Sequence, residues 1–271
     1  PKYLQRSERG TFRDFTRYHT GANLAFQNRA TLSPNVKQRF VAGSDVAYQD
    51  GAILFYGLTA QGTRASDLRD NKREGAANFG AYVTEELDLG EDWTVSAGAR
   101  YDNIHYIFRS FITPKLNDQR SFSRVTPKLG LTWRRSATHT FYANVGGGVE
   151  APAGNETDPA STFGQDTIVG INPLLDPIRS TTFEVGTKQI VAQGTGFVRE
   201  LSYDIAAYQT NVTNEIVPYR GGRFYFTAGE ARRRGLEVGL NARAAGGLLL
   251  ETGLTFSNNT YQQYQVDSVH Y

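Results

Sequence analysis

Gly146-Gly147-Gly148-Val149-Glu150-Ala151 has the spacing of a dinucleotide fingerprint. That chemistry needs a helix opening behind the glycines, so that its N-terminus faces the pyrophosphate. Ala151-Pro152 and Gly154 follow instead, with no strand–helix–strand unit around them, so the segment reads as a strand end running into a loop. His19, His105, His139 and His270 are scattered, without the i,i+4 pairing or flanking carboxylates of a metal centre. Cysteine is absent, which excludes disulfides and thiolate metal sites. Glu85 and Glu86 point to opposite faces of an extended strand and cannot work as an acid/base couple. Neither a Gly-x-Ser-x-Gly elbow nor a phosphate-binding loop is present. The residues therefore support no catalytic group, no metal and no cofactor.

Recognition chemistry is better represented. Between the strand-like segments lie mixed cations and aromatics: Arg64, Arg69, Lys72 and Arg73, then Tyr106, Phe108, Arg109, Phe111, Lys115 and Arg120. Phe163, Arg179, Tyr219, Arg220, Arg223 and Tyr225 come later. Arginine beside tyrosine or phenylalanine suits an anionic or aromatic ligand, through charge-assisted hydrogen bonds and stacking. Tyr106, Arg109, Phe111, Arg179, Tyr219 and Arg220 are taken as the ligand-binding candidates. In Arg232-Arg233-Arg234 the strand alternation sends Arg232 and Arg234 to one face and Arg233 to the other. Arg232 and Arg234, with Glu237, are assigned to a charged network on the loop side or inside a lumen.

The elements that would position these groups are strands. From Phe79 to Asp102 the odd positions are Phe79, Ala81, Val83, Glu85, Leu87 and Leu89, then Trp93, Val95, Ala97, Ala99 and Tyr101. The even positions between them are mostly polar, and Gly90-Glu91-Asp92 makes the turn. Each arm is about ten residues, enough to cross a bilayer as a tilted strand. Similar alternation recurs over Val125–Arg134, Phe141–Gly146, Leu201–Ala207, Gly235–Arg243 and Leu248–Ser257, and more weakly over Ala22–Phe26 and Phe40–Tyr48. Roughly eleven strands and no amphipathic helix result. Short links at Asn28–Val36, Gly90–Asp92, Arg135–Thr138, Ala192–Gly196 and Ala244–Gly247 alternate with longer ones at Gly57–Gly75, Asn103–Phe122, Glu150–Ile178 and Pro218–Arg223. Short turns on one side and long loops on the other are the habit of outer-membrane barrels.

Composition agrees. The chain has 271 residues, 28 glycines, 15 tyrosines and 16 phenylalanines, which favours an aromatic-rich all-β protein. Mean hydropathy is −0.46 and no apolar run reaches helix-spanning length, but a membrane strand alternates and averages out as polar. A net charge of +2 is too small to argue for nucleic acid. The chain opens at Pro1 without any methionine and stops at Tyr271 within a strand-like pattern, so it is expected to be a fragment of a mature protein.

Five segments in order resemble TonB-dependent outer-membrane receptors. Gly80–Leu87 with Val95–Asp102 is similar to that family's mid-barrel hairpin ending in "G-x-R-Y-D", and Thr126–Trp133 to its "P-(K/R)-x-G-(L/V)" strand. Phe141-Tyr142-Ala143-Asn144-Val145 to Ala151-Pro152 resembles "Y-A-N-x-(S/G)-x-G-F-x-x-P", with Val149 where Phe is frequent. Asn172-Pro173 to Asp176-Pro177 with Phe183–Lys188 resembles "N-P-x-L-x-P-E…E-x-G-x-K", and Ala228–Glu237 the "A-G-x-x-x-x-x-G-(V/L/I)-E" segment.

The resemblance implies a transmembrane antiparallel up-and-down barrel of 22 strands in a Gram-negative-type outer membrane, with long extracellular loops and short periplasmic turns. Residues 1–271 would be a C-terminal portion of that barrel, without the plug domain or the TonB box. It implies a non-enzymatic receptor that takes up a ferric siderophore or similar scarce iron chelate. Its partners would be membrane lipid and lipopolysaccharide, and the TonB–ExbB–ExbD complex acting through the missing plug. A passive porin-like small barrel and a soluble β-rich carbohydrate-binding protein are the alternatives.

Overall fold

The computed structural model describes residues 2–8, 10–153, 156–157, 170–172, 175–219, 224–227, 229–263, 265–266 and 269–270. The strands are β1 (Lys2–Glu8), β2 (Thr11–Ser33), β3 (Val36–Asp50), β4 (Ala52–Leu58), β5 (Arg64–Leu89), β6 (Trp93–Ser110), β7 (Asp118–Ser136) and β8 (His139–Glu150). They continue with β9 (Ile178–Gln193), β10 (Val198–Thr213), β11 (Ile216–Tyr219), β12 (Phe224–Thr227), β13 (Glu230–Ala244), β14 (Leu249–Gln263), β15 (Gln265–Val266) and β16 (Val269–His270). Twelve of them form one antiparallel sheet in the order β1-β2-β3-β5-β6-β7-β8-β9-β10-β13-β14, with β4 pairing β2 and β5. Apart from β4 and the separately paired β11–β12, sequence neighbours are sheet neighbours along this order, which is up-and-down topology.

β3 and β4 are one stave interrupted at Gly51, so the twelve strands make the eleven or so expected from the alternation. The interruption needs glycine, because a Cβ there would lie 1.9 Å from the Thr16 carbonyl oxygen. Asp50 Oδ1 accepts the Gly51 N–H at 2.8 Å, which occupies the donor that the break releases.

Connections at one edge are tight, as at 34–35, 90–92 and 194–197, whereas at the other edge 151–177 and 214–229 are long. Two expected loops are largely strand. β5 begins at Arg64, β6 runs to Ser110 and β7 begins at Asp118, so only 59–63 and 111–117 remain of Gly57–Gly75 and Asn103–Phe122. Period-two hydrophobicity is hidden in these extensions because the paired side chains are charged, as in Lys72–Glu74 at 2.8 Å and the Arg73–Asp50 ion pair.

Register makes the apolar face continuous from β6 across to β14, while on β5 the outward Glu85, opposite Ala97, interrupts it. Ala97 stands opposite Leu129, Leu129 opposite Val145, and Val145 opposite Phe183. Val185, Ala207, Leu236 and Phe256 form another such row. These side chains are open to the surroundings (Leu129 57%, Phe183 50%, Phe256 62%), an apolar surface far beyond what water tolerates and suited to lipid. Aromatics edge it. Trp93, Trp133 and Phe141 stack at 5.7 and 5.5 Å near the tight turns, and Phe79 meets Tyr101 at 6.4 Å toward the loops.

The opposite, inner face is polar and crowded. Tyr82 lies opposite Gly43, Tyr142 opposite Gly186, and Tyr208 opposite Gly235; in each pair the ring covers the glycine so closely that a Cβ would be within 2.6 Å of it. Arg100 on β6 reaches across Gly80 on β5 to Asp45 on β3, with Nη1–Oδ1 at 2.8 Å, while its Nε donates to Asp102 Oδ1 at 2.9 Å.

Gly80→Ala would place a methyl group 2.0 Å from the Arg100 guanidinium and break that bridge. In the full-length protein this substitution should lower stability by roughly 1–3 kcal/mol in urea-induced unfolding. Gly253→Ala, with nothing within 4 Å of the new methyl, should not. Equal stabilities for the two variants would show that the trough at Gly80 plays no part.

Candidate functional site: the inner wall at the loop edge

Beyond Tyr101 the two faces exchange character. On β6 the outward series continues as Asn103, His105, Ile107 and Arg109, polar but for Ile107, while the inward series Ile104, Tyr106 and Phe108 turns apolar, and Phe108 is buried. Register carries the inward series sideways: Arg13 faces Phe55, and Phe55 faces Asp70. Phe15, Ile53, Lys72 and Ser110 form the next row, then Glu74, Phe108 and Asp118, then Ala76, Tyr106 and Arg120.

Cations and rings alternate along this wall. The Arg13 guanidinium lies 5.9 Å from the Phe15 centroid and 5.1 Å from that of Phe55. Lys72 Nζ sits 5.8 Å from Phe55 and 5.5 Å from Phe108, and Arg120 lies 4.9 Å from Phe122. Glu74 joins the row by pairing with Lys72 at 2.8 Å and Arg17 at 3.3 Å. Lys72 is buried, and a buried cation is tolerated only when paired in this way.

The described residues of the 151–177 connection pack onto the same wall. Tyr106 Oη donates to the Pro152 carbonyl at 2.6 Å, Ile171 N–H to Asp118 Oδ2 at 2.9 Å, and Arg120 Nη1 to the Asn172 carbonyl at 2.6 Å. Ile171 completes a small core with Phe108 and Leu116, against which Tyr106 packs. Asn172 also donates to the Tyr225 carbonyl, and Asp176 N–H to Thr227 Oγ1 at 2.9 Å, tying the connection to the β11–β12 hairpin. Burial, with a smaller contribution from the Glu156 carboxylate, pushes the Tyr106 phenol up, so it stays a donor at neutral pH. A cavity of about 20 Å³ between Arg17, Gln49, Glu74, Tyr106, Thr157 and Ile171 has room for a single water.

Of the expected ligand-binding residues whose side chains are described, Tyr106 alone joins this wall, and it does so from a strand rather than a loop. Arg109 is on β6 and faces outward, directly opposite Arg73. Phe111 opens the 111–117 loop, exposed, with its N–H on the Asn71 carbonyl at 2.9 Å. Arg179 is on β9, outward and exposed. Tyr219 ends β11, and Arg220 lies outside the described residues. Arg232 and Arg234 share the outward face with Leu236, whereas Glu237 faces inward, so these three do not form one network. The wall's Arg13, Phe15, Phe55 and Phe122 were not anticipated. Their signal was the i,i+2 spacing of cation and ring in Arg13-x-Phe15 and Arg120-x-Phe122, legible only once those stretches are read as strands.

Asp70 sits half-buried on this wall, nine residues beyond the last outward aromatic of β5, Phe79. Burial pushes its carboxyl up, with Lys72 opposing. A carboxyl raised on folding costs stability once pH exceeds its folded value, and that cost disappears as pH falls through it to the unfolded value. Asp70→Asn should therefore stabilise the full-length protein at pH 7, and the difference should shrink toward pH 4 in thermal unfolding. A variant destabilised at pH 7 would show that the carboxylate is needed as a partner.

The chain matches the family described as TonB dependent receptor-like, beta-barrel, over residues 2–269. Solved structures similar to it include the ferric citrate transporter FecA in its unliganded form, with TM-score 0.74 and 17% identity over 96% of this chain and 38% of that one. The ferric-catecholate import receptor Fiu from E. coli K12 gives 0.70 and 16% over 94% and 39%. The siderophore receptor PiuA from Acinetobacter baumannii gives 0.70 and 17% over 97% and 42%. The chain thus spans about two fifths of these structures. With its antiparallel wall, its outward apolar band and this match along almost its full length, the chain belongs to the β-barrel domain family of TonB-dependent receptors, outer-membrane transporters rather than enzymes.

Proposed function

We propose that the protein containing this chain takes up a scarce ferric chelate of anionic character across an outer membrane, with energy relayed from TonB. The chain would form about half of a 22-stranded barrel. The plug and the TonB box would lie in the part of the protein outside it, with ExbB and ExbD acting through TonB. Lipid would cover the outward apolar band, with lipopolysaccharide against its loop-side half. The observation that carries the ligand reading is the inner wall of alternating cations and rings at the loop edge, where Arg13 and Arg120 lie against phenylalanine faces. Such a wall offers charge and stacking surfaces together, the chemistry of a carboxylate- or catecholate-bearing chelate. The names of the ferric citrate transporter FecA, the ferric-catecholate import receptor Fiu and the siderophore receptor PiuA agree with it.

Binding to the full-length receptor, followed by tryptophan fluorescence, tests the ligand class. Arg13→Gln with Arg120→Gln should weaken an anionic chelate such as ferric citrate or a ferric catecholate about tenfold, the effect of losing a charge-assisted contact. A neutral ferric hydroxamate should be unaffected. Arg109→Gln, on the outward face, should bind as the wild type does. Equal loss for charged and neutral chelates, or no binding of either, would overturn the assignment. In cells, uptake should stop when a protonophore collapses the inner-membrane gradient; uptake that persists would favour a passive pore.

A further inference from the structure

Arg120 on β7 is aimed by three contacts, and one of them is weak. The Phe122 ring lies 4.9 Å from its guanidinium, and Nη1 donates to the Asn172 carbonyl at 2.6 Å. Together they set the plane and direction of the fork. Its Nη2 lies 3.7 Å from Asp176 Oδ1, too far for a hydrogen bond.

Asp176 combines a fixed backbone with a loosely held side chain. Its N–H donates to Thr227 Oγ1 at 2.9 Å, and Leu175 and Pro177 on either side are buried. The Pro177 carbonyl accepts Asn214 Nδ2 at 3.3 Å, and a following proline confines Asp176 itself to extended conformations. Its carboxylate, however, is 64% exposed, and among the described residues Arg120 is its sole side-chain partner. An exposed pair at that distance adds little to stability. Asp118, two residues before Arg120 on the same face, is engaged differently: Oδ2 accepts the Ile171 N–H at 2.9 Å and Oδ1 the Gln119 N–H at 2.8 Å. Asp118 therefore holds the connection in place, whereas the Asp176 carboxylate can leave Arg120 without unpacking anything.

We infer that Asp176 is a specificity-determining residue: an internal carboxylate that occupies the place of the ligand's acidic group at Arg120 and is displaced by it. The exchange takes place at Nη2, one anionic oxygen for another. Nη1 keeps the Asn172 carbonyl, so the connection stays where it is. A chelate without an anionic oxygen cannot make the exchange and leaves Arg120 with its internal partner. Discrimination is thereby gained at some loss of affinity. This inference rests on the reading that the inner wall binds an anionic ferric chelate.

The test is binding to the full-length receptor, followed by tryptophan fluorescence. Ferric citrate and a ferric tris-catecholate serve as anionic probes, and a neutral ferric hydroxamate as the reference. Asp176→Asn should tighten whichever anionic probe binds by about two- to fivefold, the range of an exposed ion pair, and leave the hydroxamate unchanged. Asp176→Glu keeps the charge and extends the carboxylate toward Nη2, so it should weaken the same probe. A gain in both variants, or in neither, would overturn the inference. Combining Asp176→Asn with Arg120→Gln separates displacement from the loss of a nearby negative charge. In that background Asp176→Asn should change nothing, and a gain that persists would overturn the competition at Arg120. Should the Arg120→Gln receptor fail to fold, the opposite signs of the two variants at 176 decide alone. An anionic probe that binds the wild type and both variants equally refutes only the role of Asp176. If neither anionic probe binds the wild type, the reading of the wall fails and this inference with it.

Discussion

Every backbone N–H and C=O within a lipid layer must be bonded by another strand, because the surroundings offer no partner. That requirement fixes the rest of this wall. It demands long, unbroken antiparallel ladders, such as the one in which β5 and β6 pair from Lys72–Ser110 down to Leu89–Trp93 without a shift. The ladder in turn commits alternate residues to opposite faces. One face can then be given wholly to lipid while the other carries polar groups, and a slip of one residue would exchange them.

The inner face shows how such a wall is packed without a hydrophobic core. Where a large side chain leans along the sheet, its cross-strand partner is glycine: Tyr82 over Gly43, Tyr142 over Gly186, Tyr208 over Gly235 and Asp204 over Gly239. The rings lie flat over a neighbouring strand instead of projecting, which covers backbone and saves height. The same economy lets Arg100 span three staves through Gly80 and tie β3 to β6, which share no ladder of their own. Glycine abundance here is a packing requirement of the polar face more than a sign of flexibility.

The parts of this fold legible in the sequence are those in which lipid and polar faces alternate. Phe79–Asp102 is the clearest case, and its hairpin and turn were found where expected. The extensions of β5, β6 and β7 were not legible. In Arg64–Gly75 both faces carry charge and the apolar signal vanishes, and from Ile104 to Phe108 apolar residues take the inward parity while Ile107 keeps the outward one, so the contrast between faces is lost. Alternation measures contrast between two faces, so a strand with polar residues on both sides, or one crossing from lipid to loop, reads as a loop. The site was less legible still. Its contacts join Arg13 to Phe55, Lys72 to Phe108 and Tyr106 to Pro152, across 42, 36 and 46 residues of chain, and composition alone carries no trace of which strands become neighbours.

Arginine illustrates why position on a strand outranks residue type in such a protein. Arg100 is inward at the depth of the band and is bound by two carboxylates. Arg233 is inward beyond it and pairs with Glu215, yet its immediate neighbours Arg232 and Arg234 are outward. An arginine can stand outward only where the lipid layer has ended, because deeper placement on that face costs a few kcal/mol. The upward limit of the band on β13 is therefore set between Leu236 and Arg234, and on β9 between Phe183 and Arg179. These limits also pin the register of both strands. Shifting β13 by two residues toward the turns would preserve every face but drive Arg234 into the band, so the arginines oppose the one kind of slip that alternation alone permits.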